Sequence, residues 1–306
     1  MEPKNNKENP LSAEAERLNV ENSADFRGAE SCASPAATGG GSFEPPAIEI
    51  CGLSKRYKDV LAVDDLSLTV REGEIFSLLG VNGAGKTTTV KMLCCLTRPT
   101  SGDARVFGHS ILNEPAAVKS LIAVSPQETA VAPKLSVEEN LRLIADLSGL
   151  PKATALRAVQ ETAKRLSLDS VMKKRAGTLS GGWKRRLSIA MALILNPKVL
   201  FLDEPTLGLD VIARAELWEV VRELKSHTTV VLTTHYMEEA EALSDRVAVM
   251  KGGKLLAVGS VSELKESTGS ARLEDAFLTL VGARNAAERT AKDSAEELQN
   301  DEENGK

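Results

Sequence analysis

Gly80-Val81-Asn82-Gly83-Ala84-Gly85-Lys86-Thr87-Thr88 is the stretch whose reading decides the fold. Ahead of it, residues 74–79 (EIFSLL) make a short, mostly apolar run suited to a buried strand. Behind it, residues 88–96 hold enough apolar residues for a packed helix. The order is strand, glycine loop, helix. Gly83 and Gly85 let the backbone take conformations that other residues resist, so successive N–H groups can turn inward on a phosphate. The start of the helix adds partial positive charge. Lys86 can reach the β and γ oxygens, and the Thr87 hydroxyl suits Mg²⁺. The loop indicates a nucleoside triphosphate and leaves open how its energy is used. The bland alternative is a glycine turn beside a surface lysine.

A chain of 306 residues has room for one or two domains with a full core. Its formal charge of −5 is unevenly spread. Residues 1–46 hold 4 basic and 8 acidic side chains and residues 284–306 hold 4 and 7, so the tails carry −7 and the middle +2. Neither part has the basic footprint of a nucleic-acid binder, and 3% aromatics give no platform for stacking single strands. Cys32, Cys51, Cys94 and Cys95 follow no disulfide or metal spacing and read as reduced thiols. No apolar run approaches the ~20 residues needed to span a bilayer, and the N-terminus lacks an apolar signal core. The expectation is a soluble chain whose membrane role, if any, comes through a partner.

Residues 1–46, polar and rich in Ala, Ser, Gly and Pro around SPAATGGGS, read as a disordered arm. Strands are expected at 48–53 and 66–70, with Tyr57 in a polar turn (SKRYKD). A turn (RPTSGD) then leads to a strand at 105–107, and a further strand at 121–124 ends in Ser125, Pro126 and Gln127. From Ser136 the pattern turns helical. Ser136 with Glu139 makes a capping box, and Leu141, Ile144 and Leu147 keep an apolar stripe. Helices at 153–166 and 187–195 follow, a helical block of about 128–196. Residues 199–202 (VLFL) have the continuous apolar character of a strand buried on both faces of a parallel sheet. Helices at 213–224 and 237–243 alternate with strands at 230–233, 246–250 and 254–258, an α/β pattern. Past Gly282 the composition is that of a solvated acidic tail, 283–306.

Asp203 and Glu204 directly follow VLFL, at the strand end where open α/β sheets place ligands. Asp203 is placed to hold Mg²⁺ and Glu204 to polarise a water that attacks the γ-phosphate. The bland reading is that both solvate a turn. Leu179-Ser180-Gly181-Gly182-Trp183 opens an apolar helix, which makes either a second anion site or an ordinary N-cap.

The succession of phosphate loop, glutamine turn, helical block, LSGG, apolar strand with Asp-Glu, and a strand ending at His235 resembles the nucleotide-binding subunit of the ATP-binding cassette (ABC) transporter family over residues 47–266, with a weaker echo to 282. That resemblance implies a P-loop ATPase fold: a mixed sheet core, an inserted helical subdomain and an antiparallel β subdomain, together spanning 47–282. It implies ATP and Mg²⁺ as ligands. Tyr57 corresponds to the aromatic that stacks on adenine, and Gln127 to the glutamine that contacts Mg²⁺ and the attacking water. His235 corresponds to the switch histidine at the γ-phosphate, and Asp210 to the loop that crosses the subunit interface. Ser180, Gly181 and Gly182 match the signature that binds the γ-phosphate held by the opposite subunit. Two positions depart from the pattern: Trp183 stands where glutamine is usual, and Leu207 where serine is common.

The same resemblance implies a homodimer of ATPase subunits driving a separate transmembrane permease, attached to the inner face of the cell membrane through that partner. Residues 273–282 (LEDAFLTLVG) and 235–243 (HYMEEAEAL) are similar to the drug-exporter branch. Two rivals stay open: a soluble ABC ATPase that clamps a macromolecular complex, and a P-loop phosphotransferase.

Overall fold

A computed structural model describes residues 46–225 and 227–282. The tails expected to be disordered, 1–46 apart from Pro46 and 283–306, lie outside the described residues. The chain opens with β1 (Ile48–Tyr57) and β2 (Val60–Val70), an antiparallel pair. Leu66, Leu68 and Val70 of β2 are buried while Ser67 and Thr69 are exposed, the period of a half-buried strand. Then come β3 (Ile75–Leu79), α1 (Lys86–Leu93), β4 (Ser101–Val106), β5 (His109–Ser110), α2 (Pro115–Leu121) and β6 (Ile122–Ser125). The helical block holds α3 (Val137–Leu147), α4 (Lys152–Arg165) and α5 (Gly181–Leu193). The chain continues with β7 (Val199–Asp203), α6 (Val211–Leu224), β8 (Thr229–Thr234), α7 (Met237–Leu243), β9 (Arg246–Lys251), β10 (Lys254–Gly259), α8 (Val261–Thr268) and α9 (Leu273–Leu280).

Two sheets organise these elements. Four antiparallel strands run β2-β1-β4-β5, and six strands run β10-β9-β3-β8-β7-β6, parallel except for the edge strand β10. Alternation along β7 sends Leu200 and Leu202 to one face, where they pack with Leu141, Leu187 and Leu217 of the helices. Val199 and Phe201 go to the other face, with Phe76, Val90 of α1 and the inner face of the four-stranded sheet. A third cluster seats Leu264 of α8 and Phe277 of α9 on Leu79 and Val249. The alternation of strands and helices stands as the pattern anticipates, and the mixed sheet between an antiparallel sheet and a helical block is the architecture the resemblance implies.

Several local details differ. Residues 101–103, expected in a turn, belong to β4, paired with Cys51 and Ser54 of β1. Tyr57 ends β1 instead of sitting in a turn, because β1 and β2 extend until Lys58, at φ 48, lets the chain reverse. Helices α2 and α8 were not anticipated, although Ser260 and Glu263 form a capping box at α8. The box at Ser136 and Glu139 is formed. Of its expected stripe, Leu141 is fully buried but Leu147 is 75% exposed, so the apolar face ends a turn early. Cys94 and Cys95 are free thiols, whereas Cys51 is disulfide-bonded, correcting the reading of four reduced cysteines. Isolated cysteines have no spacing signature from which a pairing can be read. No helix among the described residues is long and apolar enough to cross a membrane.

Candidate active site

The glycine loop springs from β3, whose last residue, Leu79, lies in register with Thr234 of β8 and Val249 of β9. The Gly80 N–H donates to the Thr234 carbonyl at 3.2 Å. A methyl group on Gly80 would lie 2.5 Å from the Met250 carbonyl oxygen, so the loop leaves the sheet too close to β9 for a side chain. Val81, Asn82 and Gly83 are exposed and Ala84 is buried, its N–H turning back to the Val81 carbonyl at 3.1 Å. Lys86 opens α1 and is only 5% exposed. Its Nζ donates to the carbonyls of Gly80 (2.7 Å) and Val81 (3.2 Å) and stands 3.8 Å from Glu204 Oε1. Burial lowers the Lys86 pKa, while Glu204 and Asp203 oppose that shift. Thr88 is half-buried on the first turn of α1.

Asp203 is the last residue of β7, opposite Thr233 of β8. Its Oδ1 accepts from Thr87 Oγ1 at 3.1 Å and from Thr233 Oγ1 at 2.5 Å. Glu204 comes next with φ 46, a left-handed conformation unusual for a non-glycine residue and common at working sites. Its N–H is held by the Thr233 carbonyl and hydroxyl, each at 3.1 Å. Its Oε1 lies 3.1 Å from Nδ1 of His235, the residue after β8. Loop, carboxylates and histidine thus meet at the C-terminal ends of the neighbouring strands β3, β8 and β7. Thr87 and Asp203 offer hard oxygen donors, and among the described residues no three His, Cys, Asp or Glu side chains cluster as a metal cage. That donor set fits Mg²⁺, which commonly takes one or two carboxylates and completes its shell with water and substrate phosphate.

The other expected residues are more scattered. Ser180 caps α5 by position, yet its hydroxyl makes no capping bond, and Gly181 is exposed. A methyl group on Gly182 would meet the Ala213 methyl at 3.1 Å, so α5 lies close against α6. No hydrogen bond or ion pair among the described residues joins Ser180, Gly181 or Gly182 to the glycine loop. Asp210 caps α6, accepting from the Ala213 N–H at 2.9 Å. Tyr57 is 44% exposed, with Lys55 Nζ 5.0 Å from its ring centre. The Gln127 side chain is exposed. Trp183 packs against the helical core and carries the Arg186 guanidinium 5.0 Å over its ring, while Arg186 pairs with Glu216 of α6 at 2.8 Å. An apolar and cation–π contact stands where glutamine is usual in the pattern the chain resembles.

Three features of the site were not read from the sequence. Thr233 braces both carboxylate residues, Glu204 is in a left-handed conformation, and buried Arg185 donates to backbone carbonyls on both sides of the site. The run Lys184-Arg185-Arg186 gives no local sign of which cation turns inward; only the position of Arg185 three residues before inward-facing Ser188 hints at it.

The sequence matches the family described as "ABC transporter" over residues 63–207. It is 44% identical over 226 residues to the doxorubicin resistance ATP-binding protein DrrA of Mycobacterium tuberculosis, covering 73% of this chain and 68% of that protein. It is also 44% identical over 235 residues to the daunorubicin/doxorubicin resistance ATP-binding protein DrrA of Streptomyces peucetius, covering 75% and 71%. Among solved structures, one described as the ATP-binding subunit of an ABC transporter superposes with a TM-score of 0.68 at 29% identity, covering 77% of this chain and 99% of the other.

Proposed function

This chain belongs to the ABC transporter family, whose ATP-binding subunits are ATPases, and we propose that it powers export of a substrate through a separate transmembrane subunit. The observation that carries the ATP-hydrolysing part of the proposal is the meeting of Lys86, Asp203, Glu204 and His235 at the ends of three adjacent strands. The N–H groups of residues 80–88 and the Lys86 ammonium hold the phosphates. Thr87 and Asp203, with Gln127, would hold Mg²⁺, which when bound would neutralise phosphate charge. The Glu204 carboxylate takes the proton of the attacking water, and His235 orients that carboxylate and contacts the γ-phosphate. Tyr57 stacks on the adenine.

Ser180, Gly181, Gly182 and Asp210 complete the site of a second copy in a homodimer. The Ser180 hydroxyl, which makes no capping bond to its own helix, supports this role. ATP favours the closed dimer and its products the open one, so nucleotide shifts a two-state equilibrium that moves the permease. Residues 47–282 form the ATPase domain with a helical subdomain at about 128–196, flanked by an arm (1–46) and a tail (283–306). The drug-resistance names of the relatives support export over import. The complex sits at the inner face of the membrane, held there by the permease.

The test is Glu204→Gln, which keeps shape and removes the base. Phosphate release should fall by about 10²–10⁴-fold, with ATP still bound and an ATP-loaded dimer accumulating on a sizing column. Phosphate release at the wild-type rate would remove Glu204 from its role. Detergent extraction of membranes should co-purify a polytopic protein with this chain; recovery with a soluble assembly instead would favour a mechanical clamp.

A further inference from the structure

Arg185 lies on α5, five residues past Ser180, and is 3% exposed. Its Nη1 donates to the Pro126 carbonyl at 2.6 Å, and its Nη2 to the Gln127 carbonyl at 2.6 Å and the Glu204 carbonyl at 3.3 Å. Among the described residues no carboxylate lies within ion-pair distance. The three partners are backbone oxygens, so the guanidinium fixes where two loops run while their side chains stay free. Those loops carry Gln127 and Glu204, and a planar fork with donors on separate nitrogens is suited to holding two carbonyls in fixed relation.

One turn further along the same face, Ser188 Oγ meets Ser125 Oγ at 3.0 Å, and both residues are buried. The end of β6 is therefore held to α5 at two levels. Burial lowers the Arg185 pKa, with Asp203 and Glu239 opposing the shift.

We propose that Arg185 is a positioning residue for ATP hydrolysis: it locks the Gln127 loop against the Glu204 turn and ties both to the helix that begins at the Ser180-Gly181-Gly182 signature. A displacement at the start of α5 then reaches the water-activating carboxylate and the glutamine loop together. This rests on the ATPase assignment above and adds a residue whose guanidinium acts through the backbone carbonyls of Pro126, Gln127 and Glu204.

The test compares the full-length wild type with Arg185→Lys, which keeps the charge and loses the fork, and Arg185→Met, which loses both. Three quantities are read: the thermal midpoint, kcat and KM for Mg-ATP by phosphate release, and hydrogen exchange by mass spectrometry over residues 125–131 and 203–207. In Arg185→Lys the midpoint should stay within a few degrees. Its kcat should fall by about tenfold to a hundredfold, the scale of a misplaced reacting group, with KM within about threefold. Exchange should quicken in both windows and not along α4.

Arg185→Met should show the same pattern more strongly; if it does not fold, Arg185→Lys carries the test. A kcat within about twofold of wild type, with unchanged exchange in both windows, overturns the proposal. So does a uniform loss of protection with unchanged kcat, the mark of a merely structural residue. A wild type that releases no phosphate would instead count against the ATPase assignment, and the exchange comparison would still decide whether Arg185 holds the two loops.

Discussion

Gly83 and Gly85 share one loop and both have positive φ, yet the structure assigns them different costs on substitution. Gly83 has φ 80, and a methyl group there meets nothing within 4 Å. Gly83→Ala should therefore lose only the backbone preference, about 1–2 kcal/mol. Gly85, the N-cap of α1, has φ 102, and a methyl group there would lie 2.5 Å from the Ala62 carbonyl oxygen and 3.3 Å from Val63 Cγ2. Ala62 is backbone within β2, flanked by Leu61 and Val63, which pair with Arg56 and Lys55, so it yields only if that pairing shifts. Adding about 1–3 kcal/mol for such overpacking to the backbone term puts Gly85→Ala at about 2–5 kcal/mol. For a folded region of this size each kcal/mol moves the midpoint by about 2–4 °C, so the overpacking term should separate the two variants by roughly 2–12 °C. Thermal melts of the nucleotide-free proteins by circular dichroism read this directly. Equal losses, or the larger loss at Gly83, would refute the argument that the loop is pressed against β2.

Lys86→Ala should weaken ATP binding about tenfold to a hundredfold, the loss of a charge-assisted bond worth about 1.5–3 kcal/mol. Because burial already disfavours that ammonium, the nucleotide-free midpoint should hold or rise; equilibrium titration with a fluorescent ATP analogue and a melt check both halves. Glu239 of α7 is fully buried, and burial raises its pKa, opposed in part by hydrogen bonds that include Trp218 Nε1 at 3.4 Å. The folded state then holds a proton that the unfolded state has released, so stability falls as pH rises above the unfolded value and stops falling above the folded one. Glu239→Gln should remove that slope, with a gain over wild type in urea melts that grows from acid toward neutral pH. A gain that is flat across pH would contradict the assignment.

What was legible in the sequence was chemistry confined to a few consecutive residues. The glycine loop, the apolar strand ending in Asp-Glu and the Ser136 capping box each rest on local backbone rules, and each stands where expected. The alternation of strands and helices was legible as well, because buried parallel strands are continuously apolar. Less legible were segments whose partners lie far off in the chain. Residues 101–103 read as a turn from Thr-Ser-Gly-Asp, and only pairing with β1 makes them a strand. Leu147 fits a helical period, but the helix outruns the surface it packs on.

The site divides along the same line. Lys86, Asp203 and Glu204 could be named because motif spacing brings each to the glycine loop or a strand end, and His235 through the family resemblance; three adjacent strands in register do the rest. Their bracing could not be named, because it depends on which strands are neighbours. Thr233 reads as one more threonine in TVVLTT until β8 is placed beside β7, where its hydroxyl meets Asp203 and the Glu204 N–H at once. Glu204 adopts its left-handed turn only where those bonds offset the backbone strain, a balance absent from any one segment. Arg185 is the extreme case: its three acceptors lie 59, 58 and 19 residues away, and none has a side chain that announces it. Residues that would touch the nucleotide are thus written in local patterns, whereas those that hold them in place appear only once the sheet is closed.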